Sequence, residues 1–201
     1  MKSVLISVRP KWCEKIFHEI SKDEDSKPIY EKEIEVRKSR PSEVPFKAFI
    51  YCTRIIDKKH CSDEFDIGIW KGNEHVIGEF ICDKVYEWEC KNRLELVGEL
   101  GLPNWRASYM IFVNDLEKTC LTYDDLWNYG KGKTLYGWHI SDLKIYDKPK
   151  ELSEFYAKCK VPENKCKLCD NCYNRENPYG RDYAVKKIVR PPQNYMFIDD
   201  L

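Results

Sequence analysis

Lys32-Glu33-Ile34-Glu35-Val36-Arg37 is the stretch on which the architecture turns. Ile34 and Val36 alternate with Glu35 and Arg37, the period of a half-buried strand. Lys32 has the opposite parity to Glu35 and Arg37, so it is placed before the strand proper, where a loop turns it towards them. The trio then offers a mobile cation, a carboxylate and a planar guanidinium. Such a set can recognise a base edge and a phosphate, or activate a water. The same spacing also suits surface ion pairing on a solvated face. With Ile34 and Val36 as anchors, the charged side chains are expected at the lip of a concave surface.

Upstream, Ser3 to Val8 is a β-branched run read as a strand that ends at Arg9-Pro10. Pro10 suits the first turn of a helix. Trp12, Ile16 and Ile20 then share one side of a helix over Lys11 to Ile20. Ser21 to Lys27 is charged and reads as a loop. Downstream, Pro41 and Pro45 bracket a turn, and Phe46 to Cys52 alternates as a strand. Ile55 to Asn73 is a mixed connection, and His75 to Glu87 is the longest strand candidate. Arg93 to Leu100 has helical character, and Tyr109 to Val113 is apolar without a clear period. Thr122-Tyr-Asp-Asp125 opens a helix with a capping-box pattern, closed by Gly130. Leu135 to Tyr146 reads as a final strand. Strands outnumber helices and the connections are irregular. That pattern predicts an α+β fold, a small mixed β-barrel with flanking helices, rather than a parallel α/β sheet.

The chain has 201 residues, 42% of them hydrophobic, enough for a real core. Its 34 basic and 34 acidic side chains cancel. That balance argues against a non-specific duplex binder, which is normally strongly basic. The charges are unevenly placed: residues 1–60 carry 14 basic against 10 acidic, 61–143 carry 8 against 15, and 144–201 carry 12 against 9. If the first and last segments meet, a modestly basic face results. No apolar run is long enough to span a bilayer, and the opening Met1-Lys2-Ser3-Val4-Leu5-Ile6 is too short for a signal peptide. Ten cysteines without an export signal point to a cytoplasmic chain with reduced thiols, a metal site, or both.

After Asp147-Lys148-Pro149 the character changes, which divides the chain into a domain over 1–149 and an extension over 150–201. Leu152 to Cys159 is a short helix candidate. Cys159, Cys166, Cys169 and Cys172 follow in a polar, proline-containing stretch. Paired CxxC spacing lets thiolates bind one tetrahedral ion, and four thiolates make a closed structural zinc site. The same residues also admit free thiols in a loop, or part of an iron–sulfur ligand run. Zinc would staple an extension that lacks a core of its own. Tyr195-Met-Phe-Ile198 is apolar enough to dock back on the barrel.

The signature segment resembles that of the ASCH domain family, Gly-x-Lys-x-x-Glu-x-Arg. Lys32, Glu35 and Arg37 match it, and Tyr30 stands in the glycine position. The surroundings are similar too: Val4 to Trp12 resembles the family's opening strand and helix, Phe46 to Cys52 its next strand, and Ile77-Gly78-Glu79-Phe80 and Gly137-Trp138-His139-Ile140 later ones. The resemblance covers roughly residues 3–150. Arg190-Pro-Pro-Gln193 is similar to the tail of phage- and prophage-type ASCH proteins of Gram-positive bacteria. The resemblance implies a PUA-like barrel with a cleft for nucleic acid or a nucleoside, in which Ser7, Arg9 and Trp12 lie near the signature. It also implies two chemistries known among relatives. One is amide hydrolysis of N4-acetylcytidine, which uses the motif lysine, a threonine where this chain has Glu35, and a later glutamate. Glu79 and Glu87 are the candidates for that glutamate. The other is ribonuclease activity. An insertion over Ser21 to Ile29 is a further departure.

Taken together, the leading expectation is a module binding single-stranded RNA, or a modified base or nucleotide. Lys32 and Arg37 contact a phosphate or base acceptor, Glu35 accepts from a base donor or orients Lys32, and an aromatic such as Trp12 stacks. The rival is an enzyme, a nucleoside amidohydrolase or ribonuclease, in which Lys32 is base or nucleophile and a glutamate such as Glu35 relays the proton. A third reading is a protein-interaction module whose contact surface is the cysteine-rich tail. His139 is expected to be a core or a satisfied histidine, and Cys13, Cys52, Cys82, Cys90 and Cys120 to act as small buried hydrophobes.

Overall fold

The computed structural model describes residues 1–54, 74–88, 115–158 and 185–198. The expectations for residues 55–73, 93–100 and 109–113, for Cys90 and for the four-cysteine cluster lie outside them. The chain divides into two compact units. The first comprises Met1–Cys13, Pro45–Ile81 and Asp142–Leu201; the second comprises Glu14–Val44 and Cys82–Ser141. The class is α+β, as the sequence predicts, with sheet dominant and helices few among the described residues.

In the first unit, β1 (Lys2–Val8) lies parallel to β5 (Phe46–Cys52), with Val4 opposite Ala48 and Ile6 opposite Ile50. Both strands are apolar nearly throughout, as strands covered on both faces must be. Among the described residues the sheet has five strands: β12 (Tyr195–Ile198), β1, β5, β6 (Val76–Cys82) and β9 (Ser141–Lys150), in that order. β12 runs antiparallel to β1, with Ser3 opposite Ile198 and Ile6 opposite Tyr195. Leu5, Phe49, Tyr51 and Val76 pack with Leu152, Phe155, Ala157 and Ile188, and the Phe49 and Phe155 rings meet edge-on at 5.2 Å. Leu152 to Cys159, expected as a helix, is instead a 3-10 turn (Leu152–Glu154) followed by β10 (Tyr156–Lys158), which pairs antiparallel with β11 (Val185–Lys187).

The second unit is built on β4 (Ile34–Arg37), β8 (Leu135–His139) and β7 (Val85–Trp88), with β8 central and both neighbours antiparallel to it. α2 (Tyr123–Gly130) starts at the expected capping box: Thr122 accepts from the Asp125 backbone while Asp125 accepts from that of Thr122. Leu126 packs with Val36 and Leu135. Gly137 makes close packing possible, since a Cβ there would lie 2.5 Å from Trp88 and 2.8 Å from Ile34.

Four further boundaries differ from expectation. α1 spans Pro10–Phe17, so Ile20 is not on it and is exposed. Ser21 to Lys27 is not a plain loop. β2 (Glu19–Lys22) and β3 (Pro28–Tyr30) form a hairpin, closed where the Asp23 carboxylate accepts from the backbone of Asp25 (3.0 Å) and Lys27 (2.8 Å). The run His75 to Glu87 breaks at Asp83-Lys84, where β6 ends in one sheet and β7 begins in another. Leu135 to Tyr146 breaks at Ile140 in the same way, and it is not the last strand. Apolar periodicity is continuous across a change of pairing partner, so it does not mark these breaks.

Candidate functional site

β4 sorts its residues onto two faces. Glu35 lies opposite Trp138, which lies opposite Val85; Arg37 lies opposite Tyr136, which lies opposite Glu87. Directly paired residues share a face. One face therefore carries Glu35, Arg37, Tyr136, Trp138 and Glu87. Ile34, Val36, Gly137 and Trp88 occupy the other. The alternation in the sequence predicts this division, and Lys32 does precede the strand, its backbone N–H donating to the Lys15 carbonyl at 3.0 Å.

The structure corrects the expected exposure. Lys32, Glu35 and Arg37 are not at a solvated lip; their side chains are only 2%, 9% and 5% exposed. One carboxylate serves both cations: Glu35 Oε1 lies 3.0 Å from the Arg37 guanidinium and Oε2 lies 3.5 Å from Lys32 Nζ. Lys32 Nζ also donates to the Thr119 carbonyl at 2.6 Å. The Arg37 guanidinium stands 6.0 Å from the centre of the Trp138 ring. Burial disfavours the charged ammonium and lowers the proton affinity of Lys32, although the nearby Glu35 carboxylate opposes the shift.

The contributions of Thr119 and Trp138 are invisible in local sequence. Thr119 follows Lys32 by 87 residues and acts through its carbonyl, which every residue type possesses. Cys120, beside it, has a left-handed backbone (φ 56°), and its thiol donates to the Glu31 carbonyl at 3.1 Å. It is half-buried rather than buried, whereas Cys13, Cys52 and Cys82 are buried as expected. Burial pushes the Cys82 thiol up to about 12, so that sulfur is inert as a nucleophile near neutral pH.

The candidate glutamates fall in different units. Glu87 shares the trio's sheet face and pairs with Arg40 at 3.4 Å. Glu79 belongs to the first unit, where its carboxylate accepts from Tyr146 Oη at 2.5 Å and faces Lys47 at 3.8 Å. Ser7, Arg9 and Trp12 also belong to the first unit. The Ser7 hydroxyl donates to the Pro192 carbonyl at 2.6 Å, Arg9 is exposed, and Lys11 Nζ lies 4.3 Å from the half-buried Trp12 ring. His139 is satisfied as expected, by Asp83 at 2.6 Å. A shallow depression lined by Lys144, Ile145, Tyr146, Asp147, Lys148 and Lys150 lies along β9 and includes none of the trio. No helix among the described residues is long and apolar enough to cross a membrane.

No protein-family model matches the chain, and no curated protein matches it in sequence. Among solved structures it is similar to the ASCH protein of Zymomonas mobilis, at 14% identity and a TM-score of 0.45 over 98% of this chain and 88% of that one. It is also similar to two single-residue mutants of that protein. One has 15% identity and a TM-score of 0.49 over 98% and 89% of the two chains. The other has 13% identity and a TM-score of 0.44 over 99% and 91%.

Proposed function

We propose that the chain is a PUA-like module of the ASCH kind that reads a nucleobase, free or within single-stranded RNA, through Lys32, Glu35 and Arg37. The observation that carries this reading is the shared, buried carboxylate: Glu35 holds an ammonium and a guanidinium together away from water. A buried ion cluster is a poor device for stability, because well-packed apolar side chains usually do as well. It is a good device for recognition. The trio offers donors and an acceptor in fixed relative positions, which complements a base edge that presents both. Because the groups are nearly sealed, a ligand reaches them only after an opening step, so association is slower than the ~10⁵–10⁷ M⁻¹s⁻¹ of open docking surfaces.

Lys32→Met is the informative variant. It keeps the volume and leaves Glu35 and Arg37 as a one-to-one pair, so the protein folds. In calorimetric titrations with ribonucleosides and their monophosphates, loss of one charge-assisted contact lowers affinity by roughly 1.5–3 kcal/mol, about ten- to a hundredfold. Unchanged affinity in this variant, or no binding by the unaltered protein, overturns the reading.

One observation favours a second reading. Burial lowers the proton affinity of Lys32, and Glu87 lies on the same sheet face. A neutral Lys32 amine can take a proton from water as hydroxide attacks an amide carbonyl. A glutamate carboxylate then takes that proton from the Lys32 ammonium and delivers it to the departing amine, which restores the neutral lysine and adds water across the C–N bond. With N4-acetylcytidine this yields acetate and cytidine. Chromatographic detection of cytidine, abolished by Lys32→Met while binding persists, selects the enzyme.

A separate proposal concerns the tail. The spacing of Cys159, Cys166, Cys169 and Cys172 supports one structural zinc. Elemental analysis should find about one zinc per chain, lost in Cys166→Ser or Cys169→Ser. Metal-free protein purified under reducing conditions counts against it.

A further inference from the structure

Arg37 ends β4 opposite Tyr136, one residue after β8 begins. The residues that follow Arg37 and those that precede Leu135 therefore sit at the same end of the second unit's sheet. Those two segments are Lys38-Ser39-Arg40 and Gly130-Lys131-Gly132-Lys133-Thr134, with four cations and no acidic residue. Lys38, Arg40, Lys131 and Lys133 are all exposed. The wider surroundings make this notable: residues 61–143 carry 8 basic against 15 acidic side chains, yet two of the eight fall within three positions here.

The cations are organised around an aromatic ring. Lys38 Nζ lies 4.5 Å from the centre of the Tyr129 ring, and Tyr129 is 39% exposed. Tyr129 is in the last turn of α2, so this contact joins the exit of β4 to the helix end that delivers Lys131. Lys131 occupies a left-handed position (φ 51°) that glycine fills at lower cost. Backbone geometry alone gives no reason for a lysine there. Arg40 meets Glu87 at 3.4 Å, an exposed pair that a phosphate can displace.

We propose that this end of the sheet carries the sugar–phosphate backbone of single-stranded RNA, with Tyr129 as a stacking surface beside it. The inference rests on the base-reading trio proposed above and names its substrate class: a strand rather than a free nucleoside. A strand rises about 3.3 Å per residue, so Arg37, where β4 ends, lies roughly 7 Å beyond Glu35, and Lys38 follows past the end of the strand. α2 packs on the Val36 face, opposite Glu35 and Arg37, so a strand whose base sits at the trio reaches Lys38 and Tyr129 by turning over this end of the sheet, which puts its flanking phosphates at the cations. Exposed lysines interleaved with an aromatic ring are the usual equipment for this task, and the chain's zero net charge confines it to a short strand.

The test compares two probes on the full chain. Fluorescence anisotropy follows a labelled random-sequence oligoribonucleotide across a salt series, and calorimetry follows free ribonucleoside monophosphates. The oligonucleotide should bind at least tenfold tighter. In the Lys131→Ala/Lys133→Ala double variant, the slope of log K against log salt should fall by about 1.4, the loss of two single-strand phosphate contacts. Monophosphate affinity should not change. If monophosphates bind and the oligonucleotide binds no tighter, or the slope is unaltered, the backbone path is wrong while the trio reading stands. If the slope falls as expected but Lys32→Met affects neither probe, the path stands and the trio reading fails. Equal competition by a polyglutamate peptide overturns the nucleic-acid assignment.

Discussion

Two ion clusters meet head to tail in the sequence and differ in almost everything but composition. Glu31 closes the first, bound to Lys15 by a salt bridge and to His18 Nδ1 at 3.1 Å, with all three side chains about a third exposed or more. Lys32 opens the second, in which Glu35 joins Lys32 to Arg37 out of reach of solvent. Each places one carboxylate between two basic groups. The first is a surface feature whose energy water and salt dilute. The second is desolvated, so each member depends on the others. Pairing is thus readable from residue types and spacing, whereas the strength of a pair is set by what covers it.

Removing each carboxylate in turn separates the two clusters most strongly. Glu35→Ala leaves an ammonium and a guanidinium buried without the carboxylate they share, which destabilises by about 3–5 kcal/mol. Glu31→Ala should cost about 1 kcal/mol or less. Urea denaturation midpoints read both values, and equal effects would erase the distinction between the clusters. Next in size is Gly137→Ala, which tests the packing behind the buried cluster. The new methyl would meet Trp88 at 2.5 Å and Ile34 at 2.8 Å, and overpacking of this kind costs about 1–3 kcal/mol. An unchanged midpoint would mean that the Trp88 ring moves aside freely.

What the sequence reveals follows the same line. The sidedness of β4 is legible because period-two alternation of Ile34 and Val36 with Glu35 and Arg37 maps directly onto pleat geometry. β1, β5 and the α2 capping box are legible for similarly local reasons. The burial of the trio is not, because one of its partners is a carbonyl 87 residues away. The β2–β3 hairpin is hidden for the opposite reason. β2 is exposed at every position, so no apolar alternation marks it, and a turn built on the Asp23 side chain looks like any polar loop. Paired charges in a sequence therefore locate a candidate site without showing whether water reaches it.

The two lysines should also answer alkaline pH with opposite signs. Burial lowers the proton affinity of Lys32 from its usual 10.5. Between the folded value and 10.5 the unfolded chain holds a proton that the folded chain has released, so this residue makes stability rise with pH through that window. A hydrogen bond from Lys15 to Glu31 outweighs burial and raises the proton affinity of Lys15 above 10.5. Its contribution is full below 10.5 and is lost as pH rises through the folded value. Denaturation midpoints measured from neutral pH towards 10.5 should climb less in Lys32→Met than in the unaltered protein. Lys15→Met should be nearly parallel to the unaltered protein over that range. Parallel curves for both variants would mean that Lys32 is as well solvated as Lys15.

The smallest expected effect belongs to Glu31, and its sign is equally definite. Burial alone would raise its carboxyl, but hydrogen bonds from Lys15 and His18 prevail and hold it below its usual 4.5. A depressed carboxylate contributes stability above 4.5 and loses it as pH falls through the folded value, where the proton displaces both partners. Because the group is about a third exposed, solvent screening limits the contribution to a few tenths of a kcal/mol, at most about 1. Glu31→Gln should therefore sit slightly below the unaltered protein in denaturation midpoint at neutral pH. The two should converge under acid conditions, and added salt should narrow the gap at neutral pH. A gap that survives both acid and salt would show that Glu31 acts through packing or its amide-compatible hydrogen bonds, and that the open cluster is less like a surface ion pair than its exposure implies.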